Sequence, residues 1–265
     1  MKDILMMAKL ATPTKPAEWD SHLAAEEIKS VDGEKLMAAP HNRYLRPLVK
    51  PGVRVLEAGS GNGRYVFAFA KAGAMAVGLD FSQRLVDRVR NLARRARLDN
   101  VLVEHGDIMA MPFADGYFDL YTSFGVYEHF HKAQHPILFG EAYRVIKPGG
   151  LIYIEVPHFW SPWTVRREFR YWYRKFHPPR LVWQRNMTRR YITRCAERAN
   201  FQTIKTRVFD AWTGLEKGFS LNDRKILGGL PNPGHGLRPW FKKLAAFCEA
   251  REWLGHTLIY IGRKP

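Results

Sequence analysis

The sequence predicts an α/β protein built on a mostly parallel seven-stranded sheet, with helices on both faces and an antiparallel last strand. Three observations predict it. From position 53 onward, short apolar segments alternate with helical segments of about 10 to 15 residues, the pattern of βαβ units. The first strand-like segment ends in a turn rich in glycine, "VLEAGSGNGR" (55–64). Two late strand-like segments then predict an antiparallel hairpin that closes the sheet.

The predicted elements follow one another along the chain. Residues 17–50 contain helical segments with polar breaks. The strand-like segments are "VRVLEAG" (53–59), "AMAVGLDFS" (74–82), "VLVEHGD" (101–107), "FDLYTSFGV" (118–126), "LIYIEVPH" (151–158), "FQTIKTRVF" (201–209) and "HTLIYIGRK" (256–264). The predicted helices are "RYVFAFAKAG" (64–73), "QRLVDRVRNLARRARL" (83–98), "PILFGEAYRVIKPGG" (136–150) and "WFKKLAAFCEAREWL" (240–254).

This order divides the chain into four parts. We predict an N-terminal helical cap (1–50), a ligand-binding core (51–158), a basic aromatic insertion (159–200) and a C-terminal part with an inserted helical segment (201–265). The 265 residues are enough for one domain of ordinary to generous size.

Composition limits the classes of function. Hydrophobic residues make up 46% of the chain, which is typical of a globular protein. The net charge of +17 favours anionic partners: nucleic acid, anionic lipid headgroups or a negatively charged small substrate. Two widely separated cysteines and the short apolar run near the N-terminus argue against a disulfide scaffold and a secretory signal, so we expect a cytoplasmic protein, peripheral to a membrane at most.

The glycine turn differs from the dinucleotide-binding pattern GxGxxG. Counted from Gly59, the third glycine of that pattern falls on Arg64, whereas here glycines stand at 59, 61 and 63. Glu57 lies two residues before the first glycine, where its carboxylate would repel a diphosphate. The turn is therefore better suited to a ligand that carries an ammonium group.

Four motifs resemble those of class I S-adenosylmethionine-dependent methyltransferases, in the same order and at similar spacing. They are "VLEAGSGNGR", "VGLDFS", "GDIMAMPFADGYFDL" and "EAYRVIKPGGLIYIEVPH". They look most like the methyltransferase type 11 subgroup, which includes quinone-biosynthesis enzymes. The resemblance implies the Rossmann-like class I methyltransferase fold, S-adenosyl-L-methionine as cofactor and S-adenosyl-L-homocysteine as product.

The resemblance also implies which residues hold the cofactor. Asp80 would accept the ribose hydroxyls, and Asp107 would bind the adenine amino group with Ile108 against the ring. A turn-forming role for Asp107 and a core role for Phe81, the other candidate to pack on adenine, stay open. The complete set of predicted cofactor residues is Glu57, Gly59, Ser60, Gly61, Gly63, Asp80, Phe81, Asp107, Ile108, Ser123 and Gly125, the last two under the sulfonium.

Methyl transfer to oxygen needs a general base, whereas alignment of donor and acceptor does much of the remaining work. The predicted catalytic residues are His129, His158 and Glu128. Both histidines follow strands that end at the cofactor cleft, and Glu128 stands beside His129. Structural roles for both histidines stay open. In some family members a Glu-His pair binds a divalent metal with a carboxylate three residues earlier. Gly125 stands at that position here, so we expect no metal and an in-line transfer, more probable at oxygen than at nitrogen or carbon.

The segment 159–200 combines aromatic residues with eleven arginines and lysines and two glutamates, a local net charge of +9. Three interpretations compete: a cover helix, a lid over an anionic, aromatic or lipid-like small-molecule substrate, and a nucleic-acid surface. The predicted substrate residues are Trp160, Trp163, Tyr171, Trp172 and Arg174. The alternatives to a small-molecule methyltransferase are an RNA methyltransferase and a non-catalytic adenosyl-binding protein. The methyl acceptor and the oligomeric state do not follow from the sequence.

Overall fold

The computed structural model describes residues 33–162, 165, 186–211, 243–248, 252 and 255–265. Seven strands form one sheet in the order β3-β2-β1-β4-β5-β7-β6. Their bounds are β1 Arg54–Ala58, β2 Met75–Asp80, β3 Val101–His105, β4 Phe118–Phe124, β5 Ile146–Pro157, β6 Gln202–Phe209 and β7 Thr257–Arg263. Neighbouring strands are parallel except at β7, which is antiparallel to both β5 and β6. The predicted closing hairpin is therefore confirmed.

Five α-helices of the described chain pack around this sheet. They are α1 Gly33–Ala38, α2 Arg64–Lys71, α3 Gln83–Arg95, α4 His135–Val145 and α5 Arg189–Arg198. Short 3₁₀ turns lie at Pro40–Arg43, Arg46–Leu48 and Tyr127–His129, and residues 243–248 are helical. The predicted helices 64–73 and 83–98 are thus present but shorter than their sequence patterns, because Gly73 and the residues after Arg95 form turns.

Alternation along β5 places two different cores on the two faces of the sheet. Ile152, Ile154 and Val156 pack with α4 and α5 on one face, whereas Tyr153 packs with residues of α2 and of 37–49 on the other. Successive strand residues point to opposite faces, so each face buries its own apolar set. Both faces of the strands are covered, which explains their nearly continuous apolar sequences.

The boundary between α4 and β5 differs from the sequence prediction. The helix ends at Val145, and the "KPGG" segment, predicted as its stop signal, belongs to the first part of β5. Register shifts in the β4–β5 pairing between Phe118 and Leu120, and Gly149 has a φ of 77°. The glycine pair therefore forms an irregular entry into the strand rather than a loop between helix and strand.

Candidate active site

The glycine turn between β1 and α2 requires glycine at two positions for steric reasons. Gly59, Gly61 and Gly63 all have positive φ, at 77°, 49° and 72°. A Cβ atom on Gly59 would lie 2.6 Å from Val126 Cγ2, and one on Gly63 would lie 2.6 Å from Val89 Cγ1. The amides of Gly59 and Ser60 donate to the Leu79 carbonyl at 2.8 and 3.0 Å. The turn is thus held against the end of β2, and its backbone follows a path that side chains would block.

Glu57 fastens this turn to the helix that follows. Its side chain is 4% exposed, and Oε2 accepts a hydrogen bond from the Val66 amide at 2.9 Å. Burial raises the pKa of Glu57 well above its usual value, the Val66 amide opposes this rise, and Asp80 adds to it. The carboxyl group therefore joins β1 to α2. Its predicted contact with an ammonium group would use acceptor capacity beyond this bond.

Asp80 is the second buried acid at this edge, and it connects two loops. Its Oδ2 accepts from the Gly61 amide at 2.7 Å and its Oδ1 accepts from the Ser82 amide at 2.9 Å. Ser82 caps α3, because its hydroxyl accepts from the Leu85 amide at 3.3 Å. A carboxylate offers about four acceptor sites, so these two bonds do not by themselves exclude the predicted contact with the ribose hydroxyls.

The predicted adenine residues follow β3. Asp107 is exposed, and its Oδ1 accepts from the Met109 amide at 2.8 Å, which is the turn-forming role that the sequence left open. Ile108 is buried and joins the core between the sheet and α4. Phe81 is partly exposed at the end of β2, with its carbonyl 3.0 Å from His105 Nε2. Asp107 and Phe81 thus both present surface at the same strand edge.

An ion pair on α4 holds the loop after Asp107. Arg144 donates to the carbonyls of Met111 and Phe113 at 2.9 and 2.6 Å and to Glu141 at 2.7 and 2.9 Å. Glu141 in turn accepts from the Met111 amide at 2.8 Å. The sequence analysis did not assign this pair a role. The i, i+3 spacing of opposite charges was its only signal.

Ser123 and Gly125, predicted to lie under the sulfonium, have different surroundings. Ser123 is fully buried and its hydroxyl donates to the Ala58 carbonyl at 3.0 Å, which leaves the side chain no surface for a ligand. Its side chain instead ties β4 to β1. Gly125 is partly exposed with a φ of 68°, and its amide donates to the Glu155 carbonyl at 2.9 Å. Gly125 is therefore the member of this pair that borders the cleft.

Glu128 and His129 form a carboxylate–imidazole pair in the 3₁₀ turn after β4. Glu128 Oε1 lies 3.9 Å from His129 Nε2, and the side chains are 3% and 12% exposed. A Cβ atom on Gly125 would lie 3.4 Å from the same carboxylate oxygen. The pair thus stands directly beside the predicted sulfonium position. Among the described residues, no three His, Cys, Asp or Glu side chains cluster in a way that could hold a metal ion.

His158 follows the last residue of β5 and is 7% exposed. Burial lowers the pKa of His158 to about 4, an effect opposed by its hydrogen bond with the Gly255 backbone and reinforced by Arg189. Its Nδ1 has no hydrogen-bond partner among the described residues. The imidazole is therefore neutral, and its Nδ1 is enclosed by the protein.

The predicted substrate residues are only partly described. Trp160 lies just after His158 and is 59% exposed. Trp163, Tyr171, Trp172 and Arg174 lie outside the described residues.

One partly buried acid was missed by the sequence analysis. Glu155 lies within β5, two residues after Tyr153 on the same face, and Oε2 of Glu155 and the Tyr153 hydroxyl have no hydrogen-bond partner among the described residues. Burial, followed by the negative charge of Asp210, raises the pKa of Glu155 to about 8. A glutamate inside an otherwise apolar strand was the signal in the sequence.

These features fit an adenosyl ligand that carries an amino-acid group. The glycine turn has positive φ at all three glycines, and two buried acids at the ends of β1 and β2 accept hydrogen bonds from the turn and from the helix that follows it. In an open α/β sheet the ligand binds beyond this edge of the strands. Together with the strand order, the site defines a class I S-adenosylmethionine-dependent methyltransferase fold, and S-adenosylmethionine is the cofactor of that class.

Comparison with known proteins supports the same class. The family described as "Methyltransferase domain" matches residues 55–150. The chain is 40% identical to the ubiquinone/menaquinone biosynthesis C-methyltransferase of Dinoroseobacter shibae over 107 residues, which cover 38% of this chain and 41% of that protein. It is 36% identical to 24-methylenesterol C-methyltransferase 2 of Oryza sativa over 104 residues, which cover 38% and 28%. Residues 55–150 thus resemble a methyltransferase domain, in agreement with the class that the fold and the site define.

A solved structure extends the likeness in fold beyond that domain. Geranyl diphosphate C-methyltransferase of Streptomyces coelicolor superimposes with a TM-score of 0.56 at 16% identity, over 96% of this chain and 89% of that one. The curated relatives, by contrast, are matched over less than half of their own length. The likeness in sequence to these two relatives thus covers well under half of this chain.

Proposed function

We propose that this protein transfers a methyl group from S-adenosylmethionine to a small-molecule acceptor. The observation that carries the proposal is the pair of buried acids, Glu57 and Asp80, at the two strand ends that border the glycine turn. The cofactor, when bound, supplies an electrophilic methyl group on a sulfonium. The chain's own residues would hold its amino-acid and ribose ends, orient it and exclude water, which is sufficient for an in-line displacement on a well-placed nucleophile.

We assign the role of base to His129. A carboxylate near an imidazole favours the protonated imidazole, so Glu128 would help His129 to accept a proton from an acceptor hydroxyl as the methyl group is transferred. His158 suits a different role. Because its imidazole is neutral and buried at the end of β5, it would border the acceptor site as a neutral polar group that does not take up a proton.

Cofactor binding is the first test. Calorimetry should detect binding of S-adenosylhomocysteine and S-adenosylmethionine to the folded protein and no binding of NAD. Heat with NAD but none with either adenosyl compound would refute the proposal.

The acceptor class is tested with cofactor labelled in the methyl group and fractionated cell extract. Label in an organic-soluble fraction of low mass, insensitive to ribonuclease, is expected. Label that is released only by ribonuclease would favour the RNA methyltransferase alternative. Cofactor binding with no transfer to any fraction would favour the non-catalytic protein.

Methylation at carbon is a second candidate because the two relatives reported above are named C-methyltransferases. A carbon nucleophile next to a phenol or enol also has to lose a proton, so the same base serves both reactions. Transfer of a ¹³C-methyl group distinguishes them, because the chemical shift of the product separates a methoxy group from a carbon-bound methyl. We expect a methoxy product.

The assignment of His129 is tested by substitution with glutamine. His129→Gln should lower kcat by about 10²- to 10⁴-fold, the usual contribution of a general base, and remove the acidic limb of the pH profile. His105→Gln, an exposed histidine on β3, is the matched control and should leave kcat unchanged. A His129→Gln enzyme with the wild-type pH profile would show that His129 is not the base.

A further inference from the structure

Exposed aromatic and aliphatic side chains follow β5, immediately beyond the proposed acceptor site. Trp160 is 59% exposed, Phe159 38% and Val165 49%. The two aromatic rings meet edge to face, with centroids 4.9 Å apart. Folded proteins normally bury such side chains, and a group of them at one place marks an interaction surface.

A row of arginines lies next to this group. Arg190, Arg194 and Arg198 are all exposed and recur every four residues on α5, so they share one side of the helix, while Ile192 and Ala196 face the core. The Phe159 amide donates to the carbonyl of Met187, just before α5, at 3.0 Å. The arginine row therefore begins beside the aromatic pair.

None of the three arginines forms an ion pair with a described residue. Glu197 is the one acid of α5, and it accepts a hydrogen bond from the Thr203 hydroxyl on β6 at 3.3 Å. Lys132 adds a cation over the ring of Tyr191, 5.5 Å from its centroid. The surface is thus apolar at one end and strongly positive along its length.

We propose that Phe159, Trp160, Val165, Arg190, Arg194 and Arg198 form a surface that docks on an anionic lipid bilayer. Tryptophan is enriched at membrane interfaces, and each arginine near an anionic membrane strengthens binding. No helix of the described chain is both long and apolar enough to cross a bilayer, so the contact would be peripheral. The proposal stands independently of the proposed methyl transfer.

Two features favour lipid over nucleic acid as the partner. Val165 has an aliphatic side chain, which inserts among lipid chains but cannot stack on a base. The edge-to-face contact of Phe159 with Trp160 also occupies a ring face that a stacked base would need. Both features suit shallow insertion into the headgroup region.

Cosedimentation with lipid vesicles tests the proposal. The full chain should bind vesicles of phosphatidylcholine with about 30% phosphatidylglycerol far better than phosphatidylcholine alone, and less well as salt rises. The variant R190Q/R194Q/R198Q should weaken binding on the order of 100-fold, since each arginine contributes about five-fold. W160S should weaken vesicle binding several-fold at both low and high salt, because the insertion of an apolar ring, which salt does not screen, is lost.

Matched controls separate this surface from the general positive charge of the chain. R84Q/R94Q/R95Q removes three exposed arginines from α3, and L102S removes an exposed apolar side chain from β3. Both should bind vesicles nearly as well as the unchanged protein. Circular dichroism and binding of S-adenosylhomocysteine check that every variant is folded.

Three outcomes would overturn the proposal. One is the absence of binding to anionic vesicles. Another is an equal loss of binding in the α3 control, which would mean that binding depends on the total positive charge and not on this surface. The third is competition in which transfer RNA is bound through this surface and vesicles are not.

Discussion

Substitution of Asp80 by asparagine separates the two roles that the structure gives this side chain. Asp80 accepts from the Gly61 amide at 2.7 Å and from the Ser82 amide at 2.9 Å, while being 4% exposed. In Asp80→Asn one of the two oxygens becomes an NH₂ group. Whichever way the amide is turned, a donor then faces a buried backbone N–H, and the charge that strengthened both bonds is gone.

The expected cost follows from these two bonds. Hydrogen bonds to a charged group contribute about 1.5–3 kcal/mol each, and a buried donor left without an acceptor costs a similar amount. One of the two bonds survives in weakened form, so we expect the free energy of unfolding to fall by about 2–3 kcal/mol. A ribose hydroxyl loses the same charged acceptor, which corresponds to an affinity for S-adenosylhomocysteine about 10- to 100-fold lower.

Urea denaturation and calorimetry measure the two effects separately. Ser82→Ala is the control, because it removes the cap of α3 at a cost of about 1 kcal/mol, keeps the backbone amide that bonds to Asp80, and should leave the affinity unchanged. An S-adenosylhomocysteine analogue that lacks one ribose hydroxyl completes the cycle. If Asp80 contacts the ribose, the analogue should bind the wild type more weakly than S-adenosylhomocysteine does. In Asp80→Asn the difference in affinity between the two compounds should be much smaller. An equal loss of affinity for the analogue in both proteins would refute the contact, and Asp80 would then only hold the turn.

Three further changes test other parts of the site. Gly59→Ala should reduce stability by about 1–3 kcal/mol in urea denaturation, since φ is 77° and the new Cβ would lie 2.6 Å from Val126; an unchanged midpoint would show that the turn is adaptable. Burial raises the pKa of Glu155 from about 4.5 to about 8, so its contribution to stability is complete below pH 4.5 and is lost as pH rises to about 8. Glu155→Gln should therefore flatten the pH dependence of the unfolding free energy over that interval, and a wild-type slope would contradict the assignment. Arg144→Leu should weaken binding of S-adenosylhomocysteine by releasing the loop after Asp107, whereas Arg90→Leu, which loses a bond to the Val103 carbonyl, should not; equal affinities in Arg144→Leu and wild type would dismiss this positioning role.

The sequence was sufficient to predict the strands of the sheet, because the local sequence of each strand agrees with its pairing in the fold. Each strand is a short apolar segment bounded by glycine, proline or a polar turn, and the late strand pair predicted the antiparallel β7. The predicted end of this helix at Gly150 was wrong because proline and glycine within "KPGG" are usual stop signals. The segment lies between Ile146 and Leu151, which pair with β4, and its two glycines exchange backbone hydrogen bonds with Lys264.

The site was predictable in composition but not in hydrogen bonding. The positions of Glu57 and Asp80 at strand ends follow from the alternation of strands and helices. Their bonds to the amides of Val66, Gly61 and Ser82 do not, because these depend on the path of the glycine turn in three dimensions. Ser123 shows the converse case: a polar residue at the end of a strand is predicted to face the cleft, yet pairing with β1 gives its hydroxyl a carbonyl partner inside the sheet.

The same bonds explain why the acids at this edge are well suited to a ligand. A buried carboxylate held by one or two backbone amides has a fixed position before any ligand arrives, so little conformational freedom is lost on binding. The turn that supplies the Gly61 amide is fixed as well, because Gly59 and Gly63 pack against Val126 and Val89 with no room for a Cβ atom. Stability and binding are therefore linked at Asp80, and a variant that loses one without the other would show that the turn and the ligand site are separate.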